Sequence, residues 1–224
     1  MPLHHASHGS PPPRGRIVRF PEPKVLDPAH STRHVAAMDT APPWFTGQLL
    51  LALPGIGDPR FEHSVIAMVS HDEDGAMGIG IADPIGGMTV GAVLDQLDIA
   101  HDDPLEAPVF LGGPVEQTRG FVLHSADWGG EGTVQVADRW MVSSSHDILR
   151  AIGEGRGPAR WLVALGYAGW SAGQLEEEMV RHGWHVTPGS DALLFDTPPD
   201  RRWQAAFAEA GIDARLLTTE GGEA

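Results

Sequence analysis

Short apolar blocks recur along the chain from Trp44 onwards, and most of them end at glycine, proline or a charged residue. Blocks of this length that are rich in valine, isoleucine and leucine are typical of β-strands, because alternate side chains of a strand face the core. The pattern predicts strands at residues 48–53, 64–70, 77–81, 109–111, 120–124, 134–136, 140–143, 160–167 and 192–195.

Helical spacing is clearest after Thr89, where Val90, Val93, Leu94 and Leu97 fall at i, i+3, i+4 and i+7 and form one apolar stripe. Thr89 is suited to cap this helix, because its hydroxyl accepts a free backbone N–H. The other predicted helices are a short one after Asp58, one from Ser144 or Ser145 to Ile152, one after Ser171, and one that Asp200 caps and Gly211 ends. Strands outnumber helices and do not alternate strictly with them, so the predicted fold class is mixed α+β rather than doubly wound.

Residues 166–178, GYAGWSAGQLEEE, join a strand to a helix through a glycine-rich turn. Ser171 and Gln174 have the spacing of a capping box, in which the serine oxygen accepts a backbone N–H and the glutamine side chain reaches back. The glutamates that follow place negative charge near the positive end of the helix dipole. The residues expected on the inward face of this helix are Leu175, Met179 and His182.

The same turn matches the G-x-S-x-G nucleophile elbow of serine hydrolases, with Ser171 as the nucleophile. An elbow hydrolase also needs an acid and then a histidine later in the chain. The two histidines after Ser171, at 182 and 185, both precede the next aspartate. The sequence therefore favours Ser171 as a helix cap. A serine hydrolase that uses Ser171 with a histidine from elsewhere, His71 or His124, is the alternative.

Composition excludes several kinds of site. The chain has 224 residues and no cysteine, which excludes thiol catalysis, cysteine-ligated metal centres and disulfides and fits a reducing compartment. Lys24 is the only lysine, so the predicted folded part lacks a P-loop lysine. No stretch approaches the roughly 18 apolar residues of a membrane span, and the N-terminus lacks the apolar middle of a signal peptide. We therefore expect a soluble cytoplasmic protein that needs no cofactor.

Charge is unevenly distributed along the chain. Residues 1–43 carry five basic and three acidic side chains, a net charge of +2, whereas the remainder carries ten basic and 27 acidic ones, a net charge of −17. Such a body repels phosphate backbones and anionic lipid headgroups. We expect neither direct nucleic-acid binding nor a membrane partner.

Residues 1–43 show little apolar periodicity and contain five of the twelve histidines. This composition predicts a disordered N-terminal extension. His4, His5 and His8 have no carboxylate or second ligand cluster beside them, so no metal site is expected there. The predicted domain spans residues 44–213, and a flexible C-terminal tail is predicted at 214–224.

Five separated motifs carry a resemblance to a known family. They are GQLLLALPGIGDPRFEHSVI, SHDEDGAMGIGIADP, VFLGGPVEQTRGFVLH, SSSHDIL and ALGYAGWSAGQLEEEM. With these motifs in this order, the chain resembles the YqgE/AlgH family of bacterial proteins from about Thr46 to Ile212. The resemblance implies an α+β domain with a bifurcated mixed sheet, part of which is curled into a small barrel, surrounded by helices.

One branch of that family carries the label of a transcriptional regulator. This chain shows no helix-turn-helix signature and no basic recognition helix, and its acidic body argues against direct contact with DNA. A regulatory role through a protein partner stays open. The family typically has asparagine after the GAMG strand, where this chain has Ala82 followed by Asp83.

A binding site is most often formed by loops held at the ends of rigid strands. His71 lies beside Asp72 and Asp74, which suits a general base or a metal ligand, but an acidic surface turn explains the same run. We predict no metal site. The candidate residues for a cleft or partner-binding surface are His71, Asp83, Gly112, Gly113, Pro114, His124, Tyr167, Trp170 and Gln174.

The sequence lacks a complete catalytic constellation, which favours a cytoplasmic binding or regulatory module acting through protein or small-molecule contacts. The serine hydrolase using Ser171 ranks second. A DNA-binding transcriptional regulator ranks third, because of the acidic body.

Overall fold

The computed structural model describes residues 44–56, 58–101, 104–181 and 183–217. The extension predicted at 1–43 and most of the tail predicted at 214–224 lie outside the described residues; a short 3-10 helix, Ala214–Leu216, belongs to the described part. No helix in the described ranges is long and apolar enough to cross a membrane.

Strands dominate the described chain. The strands are β1 Leu49–Ala52, β2 Val65–Asp72, β3 Gly75–Gly80, β4 Pro84–Thr89, β5 Pro108–Leu111, β6 Val115–His124, β7 Thr133–Val136, β8 Trp140–Ser143, β9 Trp161–Ser171 and β10 Trp184–Thr187. The helices are α1 Val90–Gln96, α2 His146–Gly153, α3 Gln174–Val180 and α4 Pro199–Glu209, with 3-10 helices at Pro59–Phe61 and Ala214–Leu216 and a π-helix at Ala192–Asp196.

Strand β9 is where the sheet divides. The main path runs β10-β1-β2-β3-β9-β6-β8-β7 with antiparallel neighbours. The C-terminal part of β9 pairs with β3, whereas its N-terminal part pairs in parallel with β5, which in turn pairs with β4. Because one edge of β9 has two successive partners, the sheet bifurcates there. This confirms the predicted α+β fold with a bifurcated mixed sheet.

The sheet also curls upon itself into a half-barrel. Its β1 side meets the β7–β8 turn, where Arg139 donates to the carbonyl oxygen of Gly189 at 2.7 Å. Apolar residues of β1, β2, β3, β6 and β8 fill the concave face, and Leu193, Trp203 and Phe207 pack into it from the π-helix and α4. A second core lies under α1 and α2, and a third lies under α3.

The late strand predicted at 192–195 is wrong, because these residues form the π-helix. A short apolar block does not distinguish a strand from a buried helical segment. Here the hydroxyl of Ser190 accepts the backbone N–H of Leu193 at 3.0 Å, which starts a helical turn. Strands β4 and β10 were not predicted, and the other predicted strands are present.

Caps were predicted with mixed success. Thr89 caps α1, since its hydroxyl accepts the N–H of Ala92 at 3.2 Å. Asp200 does not cap α4, because the helix already begins at Pro199, whose missing N–H suits the first position. Gly211 follows the end of α4 with a φ of 76°, which confirms it as the stop.

Candidate functional site

A cleft of about 540 Å³ opens where the 3-10 helix Pro59–Phe61, the end of β3 and the start of α4 meet. This cleft is lined by residues from four distant segments of the chain, the fourth represented by Leu111 of β5. Its charged and aromatic lining residues are Arg60, Glu62, His63, Asp83, Asp200 and Trp203. Its volume lies in the range of small-molecule sites, roughly 300–1,000 Å³.

An aromatic pair forms part of the cleft wall. Trp203 is only 8% exposed, and its indole N–H donates to the carbonyl oxygen of Ala52 at 2.9 Å. The ring of His63 stands perpendicular to it, with 4.6 Å between centroids. His63 has a φ of 57°, in the left-handed region that costs most residues about 1–3 kcal/mol. The surrounding structure therefore holds an exposed histidine against Trp203 despite an unfavourable backbone conformation.

A buried guanidinium fixes the walls of the cleft. Arg202 is 3% exposed and donates to the carbonyl oxygens of Leu193 at 3.2 Å, Thr197 at 2.8 Å, and Ile81. These acceptors belong to the π-helix, the segment before α4 and the residue after β3. Burial lowers the pKa of Arg202 to about 10, so the group stays charged at neutral pH. One side chain thus joins the elements on both sides of the cleft.

The rim of the cleft carries unpaired negative charge. Arg60 is matched by Asp58, with 2.6 Å between Nη2 and Oδ2. Glu62, Asp83 and Asp200 are exposed, and within the described residues their carboxylates have neither an ion pair nor a hydrogen bond. Counting the guanidinium of Arg202 behind the wall, the cleft retains a surplus of negative charge.

His71 is held inside the third core rather than in a cleft. It is 5% exposed, its Nδ1 accepts the backbone N–H of Phe45 at 3.2 Å, and its Nε2 lies 2.9 Å from Oε1 of Glu176. Because Nδ1 accepts, the ring proton sits on Nε2 and is donated to the carboxylate. Both nitrogens of His71 are therefore engaged within the fold. No group of three metal-binding side chains occurs among the described residues.

Helix α3 is pinned to the sheet by its glutamates. Oε2 of Glu178 accepts the indole N–H groups of Trp170 at 3.0 Å and Trp184 at 2.8 Å, and Oε1 accepts Nε2 of Gln174 at 3.0 Å. Sequence reasoning assigned these glutamates to the helix dipole and missed their inward role. Glu178 follows the buried Leu175 at i, i+3 and so shares its face of the helix, which is the signal that points to this role.

Ser171 is the last residue of β9 and is exposed. It does not cap α3, because Gly173 occupies the N-cap position with a φ of 75°. The other half of the predicted capping box is present, since Oε1 of Gln174 accepts the N–H of Ser171 at 3.0 Å. The ring nitrogens of His71 and of His124, described below, are engaged elsewhere and are not available to activate Ser171.

The Gly112-Gly113-Pro114 turn crosses directly over β9. A Cβ atom on Gly112 would lie 2.1 Å from the carbonyl oxygen of Gly166, so only glycine permits this backbone contact. The N–H of Gly112 donates to Leu165 at 2.8 Å, and it is therefore not free to bind an anion. Tyr167 packs edge-on against Phe121 beside this crossing.

His124 lies in a polar chain whose centre, His124 and Ser143, is fully buried. Its Nδ1 is 2.8 Å from the carbonyl oxygen of Ser125, and its Nε2 is 2.9 Å from Oγ of Ser143. The carbonyl accepts, so Nδ1 carries the proton and Nε2 accepts from the serine hydroxyl. Oγ1 of Thr133 lies 2.6 Å from the same hydroxyl. Burial lowers the pKa of His124, which fits a neutral ring with a structural role.

The structure brings the predicted site residues together in separate groups rather than at one site. The backbone of Gly113 packs against that of Tyr167, and the N–H of Leu111, beside Gly112, donates to the carbonyl oxygen of Asp83 at 2.8 Å. His71, Trp170 and Gln174 each bond to a glutamate of α3.

Asp83 alone among the predicted site residues lines the cleft. Trp170 and Gln174 lie at α3, whereas His124 pairs with Trp161 at the other end of β9. Trp161 and Trp170 are nine residue steps apart along the strand, about 30 Å at 3.3 Å per step. The residues that sequence reasoning missed are Arg60, Glu62, His63, Asp200, Arg202 and Trp203.

Comparison with known proteins agrees with the motifs. The AlgH-like family model matches residues 49–215. A UPF0301 protein of Sphingopyxis alaskensis is 89% identical over 187 residues, which are 84% of this chain and 100% of the relative. The solution structure of the AlgH protein from Pseudomonas aeruginosa has a TM-score of 0.67 at 39% identity, over 84% of this chain and 100% of that chain.

A crystal structure of a Corynebacterium diphtheriae protein shows the same fold, with a TM-score of 0.63 at 21% identity, over 82% of this chain and 95% of that chain. The family match spans most of the chain, and the Sphingopyxis relative aligns over its whole length. The chain therefore belongs to the AlgH-like family.

Proposed function

We propose that the protein is a cytoplasmic binding module whose cleft takes a ligand with a cationic group, an ammonium or a guanidinium. The observation that carries the proposal is the cleft itself, where a buried tryptophan and a strained histidine adjoin three carboxylates without described partners. The proposal assigns these residues to binding and not to catalysis.

The chemistry of the cleft supports this ligand class. An ionised carboxylate only accepts hydrogen bonds, so Glu62, Asp83 and Asp200 suit a ligand that donates several. The exposed ring of His63, backed by the buried Trp203, suits the apolar part of such a ligand. The net charge of −17 beyond residue 43 attracts cations at long range.

The experiment compares two probes of the same shape. N-acetyl-arginine amide carries the guanidinium, and N-acetyl-citrulline amide replaces it with a neutral urea. Each is titrated into the ¹⁵N-labelled full chain, and the Trp203 indole and His63 backbone N–H signals are followed. We expect the arginine probe alone to shift these signals in a saturable way. The proposal would be overturned if the citrulline probe shifted these signals equally. It would also be overturned if the arginine probe left the signals of Trp203 and His63 unchanged.

Matched variants locate the site. Asp83→Asn and Asp200→Asn each remove one rim carboxylate, and we expect about two- to fivefold weaker binding of the arginine probe, as for exposed ion pairs. Glu131→Gln removes an exposed carboxylate of the loop between β6 and β7, which does not line the cleft, and should leave binding unchanged. Equal effects of all three variants would mean that only the overall charge matters.

A further inference from the structure

Basic residues are concentrated near the N-terminus of the chain, whereas the rim of the cleft is acidic. We propose that the basic segment at residues 14–24 of the same chain docks there and competes with the ligand. This inference rests on the proposed function, since it assigns a second occupant to the same cleft.

Charge complementarity is the first argument. Residues 14–20, RGRIVRF, hold three arginines and no acidic residue, and Lys24 follows. These four cations are opposed only by Glu22, so the segment has a net charge of +3. It carries the guanidinium groups that the three unpaired carboxylates of the cleft suit.

Apolar content is the second argument. The same seven residues contain Ile17, Val18 and Phe20, so arginines and apolar side chains alternate within one short stretch. The cleft combines the same two properties, with carboxylates at its rim and the rings of Trp203 and His63 in its wall. A purely polar polycation would pair with the carboxylates but would make no apolar contact with the rings.

Reach is the third argument. The described chain begins at Trp44, whose ring lies 5.0 Å from that of His71 on β2. Val65, at the other end of β2, lines the cleft. The six residue steps from Val65 to His71 span about 20 Å of strand. The 24 residue steps from Phe20 to Trp44 can span at most about 86 Å, which exceeds the roughly 20 Å between Val65 and His71.

The absence of cysteine makes the test direct. Ser10→Cys places a single nitroxide spin label next to the basic segment in the full chain. We expect the label to broaden the indole N–H signal of Trp203 and to leave that of Trp128, in the loop after β6, unbroadened. The labelled variant with Arg14→Gln, Arg16→Gln and Arg19→Gln should recover the Trp203 signal. Equal broadening of both tryptophans, or broadening that survives the triple substitution, would overturn the docking.

Competition supplies a second readout. If the segment occupies at least half of the molecules, the triple variant should bind N-acetyl-arginine amide at least about twofold more tightly than the wild type. Unchanged affinity together with an unbroadened Trp203 signal refutes the docking and leaves the cleft as a ligand site. A triple variant that fails to bind the arginine probe refutes the proposed function itself.

Discussion

Arg202 offers the sharpest test of how the cleft is built. Its guanidinium donates to three carbonyl oxygens on separate segments, is 3% exposed and forms no ion pair with a carboxylate of the described residues. Arg202→Met keeps the length of the side chain and removes every donor. The carbonyl oxygens then lose their hydrogen bonds without gaining access to water, which costs about 1–3 kcal/mol for each buried one.

We therefore expect the Arg202→Met variant to lose about 3–5 kcal/mol of unfolding free energy, since Thr197 is partly exposed and recovers some hydration. For a chain of this size the loss corresponds to a melting temperature lower by about 6–20 °C. Arg202→Lys keeps the charge but lacks the planar fork, and should recover only part of the loss. Urea unfolding followed by tryptophan fluorescence measures both.

Arg201→Met is the matched control. Arg201 is the preceding residue of α4 and is exposed, and its described hydrogen bond is made by its backbone N–H to Pro198. Its substitution should change stability by less than about 0.5 kcal/mol. The reasoning is refuted if Arg202→Met costs no more than Arg201→Met. A large loss of stability in Arg202→Lys equal to that in Arg202→Met would show that charge contributes nothing without the fork.

Three further predictions concern the parts of the fold outside the cleft. Burial lowers the pKa of His124 from 6.5, so the unfolded chain binds a proton that the native state excludes. The contribution of His124 to stability is therefore full above about pH 6.5 and falls as the pH drops below it. The His124→Gln variant should make the urea midpoint depend less on pH over this range, and His185, whose pKa burial also lowers, accounts for the dependence that is left. An unchanged pH dependence of the midpoint in the variant would contradict the assignment. Ser171→Ala and wild type should both remain unlabelled by a fluorophosphonate probe, and labelling lost in the variant would establish an activated serine. Glu178→Gln weakens two indole hydrogen bonds and should cost about 1–2 kcal/mol in urea unfolding, whereas Glu177→Gln, on the exposed face, should cost less than about 0.5 kcal/mol; equal losses would refute the inward role of Glu178.

The sheet is largely predictable because burial leaves a local signal in the sequence. The run Val65–Met68 is fully buried in β2, and its apolar residues, with the β-branched Val65 and Ile66, predict a buried strand. Strand β4 is not predictable from its sequence, PIGGMT, because proline and glycine are unfavourable inside strands. In the structure it pairs with β5 only at Pro84 and Thr89. Its extended form is imposed by its neighbour rather than by its own residues.

The cleft is much less predictable, because its walls come from segments around residues 60, 82, 111 and 200. Exposed charged residues such as Glu62 and Asp200 have no local pattern that distinguishes them from a solvated surface. The left-handed backbone of His63 is likewise invisible in the sequence, since histidine does not require it. Tertiary structure alone brings these residues together, and Asp83 was the one predicted member.

Position 82 connects the family resemblance to the chemistry of the cleft. The family resemblance implies asparagine there, whereas Ala82 of this chain lines the cleft. An asparagine amide both donates and accepts hydrogen bonds, whereas alanine offers only a methyl group. Polar recognition at this wall then falls to the neighbouring carboxylate of Asp83, which only accepts. Under the proposed function, a ligand group that faces this wall is a donor, a condition that ammonium and guanidinium groups meet and that carboxylates and phosphates do not.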